Sequence, residues 1–280
     1  MKPVSAFHIG PPKTATTWIY GCLAEHPDIA APPKDSIHYF DMLYARGEAW
    51  YASHFEGAGP DQIRFDPTPS YLSSSWAPRR IRQHNADARI AVCLRNPIQR
   101  GYSHYWHERK KGRHRYAFGE LLSNYDLFAI WLEPGFYAEH LSRYFECFPR
   151  DQILAQRFED IDRNPARFLR ELFSFFGADP EFVPSALHTR VNVAGPRHTP
   201  IGMGLYSARK AMSLLGLKRT ADQLGQSALL SGRREYLRGI PEDIFAELLR
   251  ICEPEIVRLE DLLQIDLSDW RRPASTVVAA

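Results

Sequence analysis

A short apolar run from Val4 to Ile9 ends in Gly10-Pro11-Pro12, and Lys13-Thr14-Ala15-Thr16-Thr17-Trp18 follows at once. The run reads as a buried β-strand, the Gly-Pro-Pro as a tight turn, and the residues from Trp18 onward as an amphipathic helix. A helix starting directly beyond a strand turns unpaired N–H groups and the positive end of its dipole, roughly half a charge, outward over the turn. Such a junction binds anions. Lys13 and the hydroxyls of Thr14, Thr16 and Thr17 add further donors to it. The plainer alternative is a capped helix behind a strand, which has no need of a Lys and three Thr.

Spacing restricts the anion. A Walker loop needs Gly, four residues, then Gly-Lys-Ser/Thr. Here Pro12 precedes the Lys, and only Pro11 and Pro12 separate Gly10 from Lys13. The shorter loop encircles a smaller group than a β,γ-phosphate pair with Mg²⁺. A second segment has the same logic. Arg89–Leu94 reads as a buried parallel strand and runs into Arg95-Asn96-Pro97, with Arg100, Ser103 and Tyr105 beyond. Pro97 fits a first helical turn. Arg95 then stands at the strand's carboxyl edge, where ligands of open α/β sheets gather.

Strand and helix signals alternate, which predicts an α/β fold with a parallel sheet. Helices are expected over Thr17–Glu25, Ile98–Arg109, Phe118–Trp131, Tyr137–Phe148, Pro165–Phe176 and Ile244–Leu263. The length of 280 residues, 44% hydrophobic and 24% charged, fits one domain over residues 1–272 with a frayed tail at 273–280. A net charge of +2 gives no indication of nucleic-acid binding. The densest basic run, His107 to Arg115, is either a dock for an acidic acceptor or the anionic cofactor, or a solvated helix end. Cys22, Cys93, Cys147 and Cys252 lie far apart and read as reduced thiols. No metal-ligand spacing is present, and no apolar run reaches membrane-spanning length.

In this order the two segments resemble those of sulfotransferases that use 3′-phosphoadenosine-5′-phosphosulfate. Pro12-Lys13-Thr14-Ala15-Thr16-Thr17-Trp18 is similar to the loop that holds the 5′-phosphosulfate. Arg95 to Ser103 is similar to the segment that grips the 3′-phosphate. The likeness leans toward the heparan-sulfate and related bacterial enzymes through Leu132 to Leu141, Asp151 to Leu154, Phe158-Glu159-Asp160, Asn164-Pro165 and Leu259 to Trp270. The resemblance implies a P-loop-like three-layer fold, a central parallel sheet flanked by helices. It implies in-line sulfuryl transfer, without a metal, to a hydroxyl or, less readily, an amine of a small-molecule, lipid or saccharide acceptor. Lys13 would stabilise the departing bridging oxygen, Arg95 and Ser103 the 3′-phosphate, and Arg197 would be a second contact to it. Golgi relatives carry a membrane anchor, whereas here Met1 enters the first strand almost directly; the expectation is a cytoplasmic, bacterial enzyme.

The general base is less direct. Lys34 to Asp41 resembles the Glu-x-His-Phe-Phe-Asp segment that carries the base in the heparan-sulfate enzymes, but the Glu position is Ser36. A hydroxyl has no useful basicity near neutrality, whereas the imidazole of His38 does. Asp35 is the alternative base, and a structural histidine beside an aromatic pair is the third reading. Phe65 to Tyr71 resembles a Glu-Lys-x-x-x-Tyr segment, with Pro67 where the relatives have a catalytic Lys. Asp66 is left to orient the acceptor or His38. Asp41, Tyr71 and His107 are expected as acceptor contacts beside His38. Residues 198–240 read as an amphipathic lid, a membrane-surface helix or a packed hairpin. Two rival functions stay open: a small-metabolite kinase using ATP and Mg²⁺, and a nucleotide-binding relative that has lost its base.

Overall fold

The computed structural model describes residues 2–189 and 239–273. Arg197 and the variable segment up to residue 238 lie outside the described residues. Five parallel strands, β1 (Ala6–His8), β2 (Ile29–Ala30), β3 (Ile63–Asp66), β4 (Arg89–Leu94) and β5 (Ile153–Arg157), form a sheet in the order β2-β3-β1-β4-β5. The helices are α1 (Thr16–Ala24), α2 (Glu48–Ser53), α3 (Ala77–His84), α4 (Pro97–Lys110), α5 (Tyr125–Trp131), α6 (Tyr137–Phe145), α7 (Phe158–Arg163), α8 (Pro165–Phe176) and α9 (Glu242–Leu263).

Side-chain alternation along the strands divides the interior into two layers. Phe7, Ile9, Ile90, Val92 and Leu94 pack with Tyr102 of α4, Leu141 of α6 and Leu248 and Cys252 of α9. Ala6, Phe65, Ala91 and Cys93 face the other way, onto Ile19 and Leu23 of α1 and Leu169 and Phe173 of α8. This is the expected three-layer arrangement. Because β3 and β4 flank β1 on opposite sides, the chain changes direction at the carboxyl end of β1, where such sheets bind their ligands.

The expected helix over Phe118–Trp131 is interrupted. A 3-10 turn covers Phe118–Leu122, and α5 starts afresh because the Asn124 side chain accepts from the N–H groups of Asp126 and Leu127. Strands β2 and β3 and helices α2 and α3 are elements that the sequence reading does not anticipate. All four cysteines are free thiols, and Cys22, Cys93 and Cys252 are buried. Among the described residues no helix is long and apolar enough to cross a membrane.

Candidate functional site

The turn beyond β1 carries Gly10 at φ 100° and a cis bond to Pro11. Only glycine fits here, since a Cβ would stand 2.0 Å from the Pro69 carbonyl oxygen. Lys13 and Ala15 follow at φ 78° and 61°. Side chains in this left-handed region cost on the order of 1–3 kcal/mol each and concentrate at ligand clamps. Alternation of this kind turns successive N–H groups into a concave anion nest. Ala15 provides no side-chain cap for α1, so the N–H groups of Thr16, Thr17 and Trp18 project from the helix start. The first intrahelical bond is from Ile19 to the Ala15 carbonyl, 2.9 Å. Thr16 and Thr17 are half-buried at this mouth.

Two of the expected loop donors contribute main chain alone. The Thr14 hydroxyl is fully buried and donates to the Pro11 carbonyl at 2.7 Å, bracing the loop from beneath. Trp18 turns its indole away, donating to the Ala186 carbonyl at 3.1 Å and packing 6.1 Å from the Phe168 ring.

Cations gather around this loop. Arg95 is buried and donates to the Lys13 carbonyl at 3.2 Å, with its guanidinium 4.3 Å above the Phe158 ring. Arg100, fully buried on α4, donates to the carbonyls of Pro12 at 3.4 Å and Trp131 at 2.5 Å. Its Nε has no partner among the described residues. Both guanidiniums therefore hold main-chain oxygens, leaving their charge uncancelled by a bonded carboxylate. One turn further, His104 Nδ1 lies 3.1 Å from the Ile130 carbonyl. Burial, then the charges of Arg100 and Lys13, push its pKa down to about 3. It is neutral, with Nδ1–H donating. Ser103 and His107 are half-buried on the same helix, and His107 Nε2 lies 3.9 Å from Glu108 Oε1. The basic run beyond them is engaged locally: Arg113 pairs with Glu108 at 2.7 Å, His114 meets the Tyr105 carbonyl at 3.1 Å, and Arg109 bonds the Tyr105 hydroxyl. The helix-end reading of that run is the one the contacts favour.

Further along the chain, His38 sits at φ 58° with its side chain about a third exposed. Its Nδ1 lies 3.0 Å from Ser70 Oγ and 3.4 Å from Asp41 Oδ2, while Ser70 donates to the same Asp41 oxygen at 2.5 Å. The hydrogen bond to Asp41 holds the imidazole above its ordinary pKa, against the effect of burial. Burial would raise the Asp41 carboxyl, but the bonds from His38 and Ser70 outweigh it and the net shift is downward. With Nδ1 committed to this pair, Nε2 is the nitrogen that remains for an acceptor proton. Asp35 is exposed, and its carbonyl receives the Ser36 hydroxyl at 2.6 Å. The structure brings His38, not Asp35, to a supporting carboxylate.

Three expected acceptor-side residues are corrected. Asp66 is fully buried and accepts from the hydroxyls of Thr68 at 2.6 Å, Tyr51 at 2.9 Å and Tyr71 at 3.0 Å, and from Thr68 N–H at 3.1 Å. Tyr71 is fully buried as well, so neither residue can touch an acceptor. Asp41, 7% exposed at its side chain, is engaged by His38 and Ser70. Sequence reasoning missed Thr68, Ser70 and His104, and noted Arg100 within the Arg95–Ser103 segment without giving it a role of its own. The first two sit in a Pro-Thr-Pro-Ser turn that bonds residues about thirty positions upstream, the N–H groups of Ile37 and His38 for Thr68 and the side chains of His38 and Asp41 for Ser70.

Comparison with known proteins agrees with this geometry. A family model described as a sulfotransferase domain matches residues 5–192. Human heparan sulfate glucosamine 3-O-sulfotransferase 6 is 32% identical over 177 residues, covering 61% of this chain and 52% of that protein. Human bifunctional heparan sulfate N-deacetylase/N-sulfotransferase 2 is 30% identical over 192 residues, covering 61% of this chain and 22% of that protein. The chain thus spans about half, or less, of the length of these relatives. In fold, a sulfotransferase from Alicyclobacillus acidocaldarius superposes with a TM-score of 0.72 at 24% identity, covering 97% of this chain and 100% of that one.

Proposed function

We propose that this chain, which belongs to the sulfotransferase family, transfers a sulfuryl group from 3′-phosphoadenosine-5′-phosphosulfate to a hydroxyl of a small-molecule, lipid or saccharide acceptor. One observation carries the donor half: the left-handed Lys13 and Ala15 lead into an uncapped helix start, and Arg95 bonds the same loop. Such a site suits a phosphate ester with further negative charge nearby.

In this reading the main chain of Lys13 to Trp18, with the hydroxyls of Thr16 and Thr17, holds the 5′-phosphate, and Arg95 and Ser103 hold the 3′-phosphate. The acceptor oxygen bonds to sulfur as the bond from sulfur to the bridging oxygen breaks, releasing adenosine 3′,5′-bisphosphate. Lys13 balances the charge that gathers on the bridging oxygen. His38 Nε2 takes the acceptor proton, and Asp41, bonded directly and through Ser70, stabilises the imidazolium that results. The named relatives are heparan sulfate sulfotransferases, but Ser36 and Pro67 stand where the resembled segments have a Glu and a Lys, so the acceptor class is kept broad.

Calorimetric titration with adenosine 3′,5′-bisphosphate, against ADP with Mg²⁺, tests the donor half. Preference for the bisphosphate and a loss of about 1.5–3 kcal/mol in Arg95→Ala, the usual worth of a charged hydrogen bond, are expected. Preference for ADP with Mg²⁺, or indifference to Arg95, would turn the reading toward a kinase. Radiolabelled sulfate transfer across a panel of hydroxyl acceptors then tests whether the site is catalytic.

A further inference from the structure

Four consecutive main-chain N–H groups beside the candidate base lead into one buried carboxylate. The N–H groups of Ile37 and His38 donate to the Thr68 hydroxyl at 2.9 and 3.3 Å, and those of Tyr39 and Phe40 to the Tyr71 hydroxyl at 3.0 and 3.3 Å. Both hydroxyls pass their own protons to Asp66, at 2.6 and 3.0 Å. A loop without regular structure thereby has four consecutive N–H groups satisfied. It can then keep His38 at a positive φ, which an unsupported histidine adopts rarely. Ser70, between the two hydroxyls in sequence, supports the ring itself through Nδ1 and Asp41.

The same short segment also abuts the donor loop. The Pro69 carbonyl fills the space where a Gly10 side chain would be, and Leu72 N–H donates to the Ile9 carbonyl at 3.0 Å. Pro67 and Pro69 restrict the main chain on either side of Thr68. Residues 66–71 are thus wedged between the phosphate loop on one side and the base on the other.

We propose that Asp66–Tyr71 is a positioning template: Asp66, Thr68 and Tyr71 set the main chain of residues 37–40, Ser70 sets the His38 ring, and the Pro69–Gly10 contact fixes both relative to the phosphate loop. This rests on His38 being the base. It also accounts for Asp66 and Tyr71 being buried: they act through the loop they hold, not on the acceptor. The groups that face the imidazole are Asp41 and Ser70 in contact, with the charges of Asp66 and Asp35 further away.

The test follows the His38 imidazole by NMR titration in the whole chain, assigned with His38→Asn, for wild type, Thr68→Ser and Thr68→Val. Bisphosphate affinity is measured on each. In wild type the ring titrates above the ordinary 6.5. Thr68→Ser keeps that midpoint. Thr68→Val removes the hydroxyl, releases the ring from Asp41, and brings the midpoint down toward 6.5 with the bisphosphate affinity unchanged. A wild-type midpoint in Thr68→Val would overturn the template. Should that variant not fold, amide exchange in wild type decides: the N–H groups of residues 37–40 should exchange slowly and together, and exchange at open-loop rates would overturn it. Failure of bisphosphate binding in wild type would instead remove the donor assignment, leaving the His38 result to stand alone.

Discussion

The proposed phosphate loop follows β1, the proposed base segment is held by the residues that follow β3, and the two are built by opposite means. At the loop, Ala15 gives the start of α1 no side-chain cap, and Arg95 and Arg100 bond carbonyls and not carboxylates. At the base, almost every polar group is already engaged: the N–H groups of residues 37–40, the hydroxyls of Thr68 and Tyr71, and the carboxylate of Asp66 satisfy one another. An anion site works by holding donors that need a partner. A proton acceptor works by having one nitrogen held still while everything behind it is satisfied. The two halves should therefore fail differently.

The largest effect is expected at the base. His38→Ala should lower sulfuryl transfer by about 10²–10⁴-fold, the range of general base catalysis, with bisphosphate affinity unchanged; equal losses in both would merge the two regions into one. Lys13→Ala should lower transfer by roughly 10²–10³-fold, as when an oxyanion donor is removed. Unlike His38→Ala it should also weaken bisphosphate binding, which calorimetry would read. The pH dependence comes next. Neutral imidazole is the active form, and Asp41 holds the protonated form to higher pH, so transfer should rise with pH through a midpoint above 6.5. Asp41→Asn should move that midpoint down, while His104, already neutral with a pKa near 3, should leave no limb between pH 5 and 8. The smallest effect belongs to Asp35→Asn, within about twofold as for other exposed positions; a loss comparable to that of His38→Ala would hand the base role to Asp35.

The same contrast explains what could be read in advance. The phosphate loop is local: strand, turn, Lys13 and helix start occupy consecutive positions, and so do β4, Arg95 and the Pro97 helix start. The Pro165–Phe176 helix was legible because Asn164 caps its start and Gly177 ends it in the left-handed region. The base segment depends on contacts about thirty residues apart in sequence, such as Tyr39 to Tyr71. The resemblance of the two segments to those of the heparan-sulfate enzymes placed Asp66, Tyr71 and Asp41 on the acceptor wall, although a carboxylate receiving three hydroxyls belongs to the interior. His38 was found because its chemistry is singular; Ser70 and Thr68 were not, since a hydroxyl in a proline-rich turn carries no sign of what it will meet. Arg100, quoted within the Arg95–Ser103 segment, received no role of its own for a related reason: its partners are the carbonyls of Pro12 and Trp131, which no side-chain pattern announces.

A grip on main-chain amides is blind to the side chains those residues carry. Thr68 and Tyr71 would hold positions 37–40 through any of several side chains there, and Ser36 lies outside their reach. The lining that an acceptor meets can thus drift by substitution while the proton-accepting nitrogen stays in register with the donor. In a lineage, such an arrangement separates the evolution of substrate range from the preservation of chemistry.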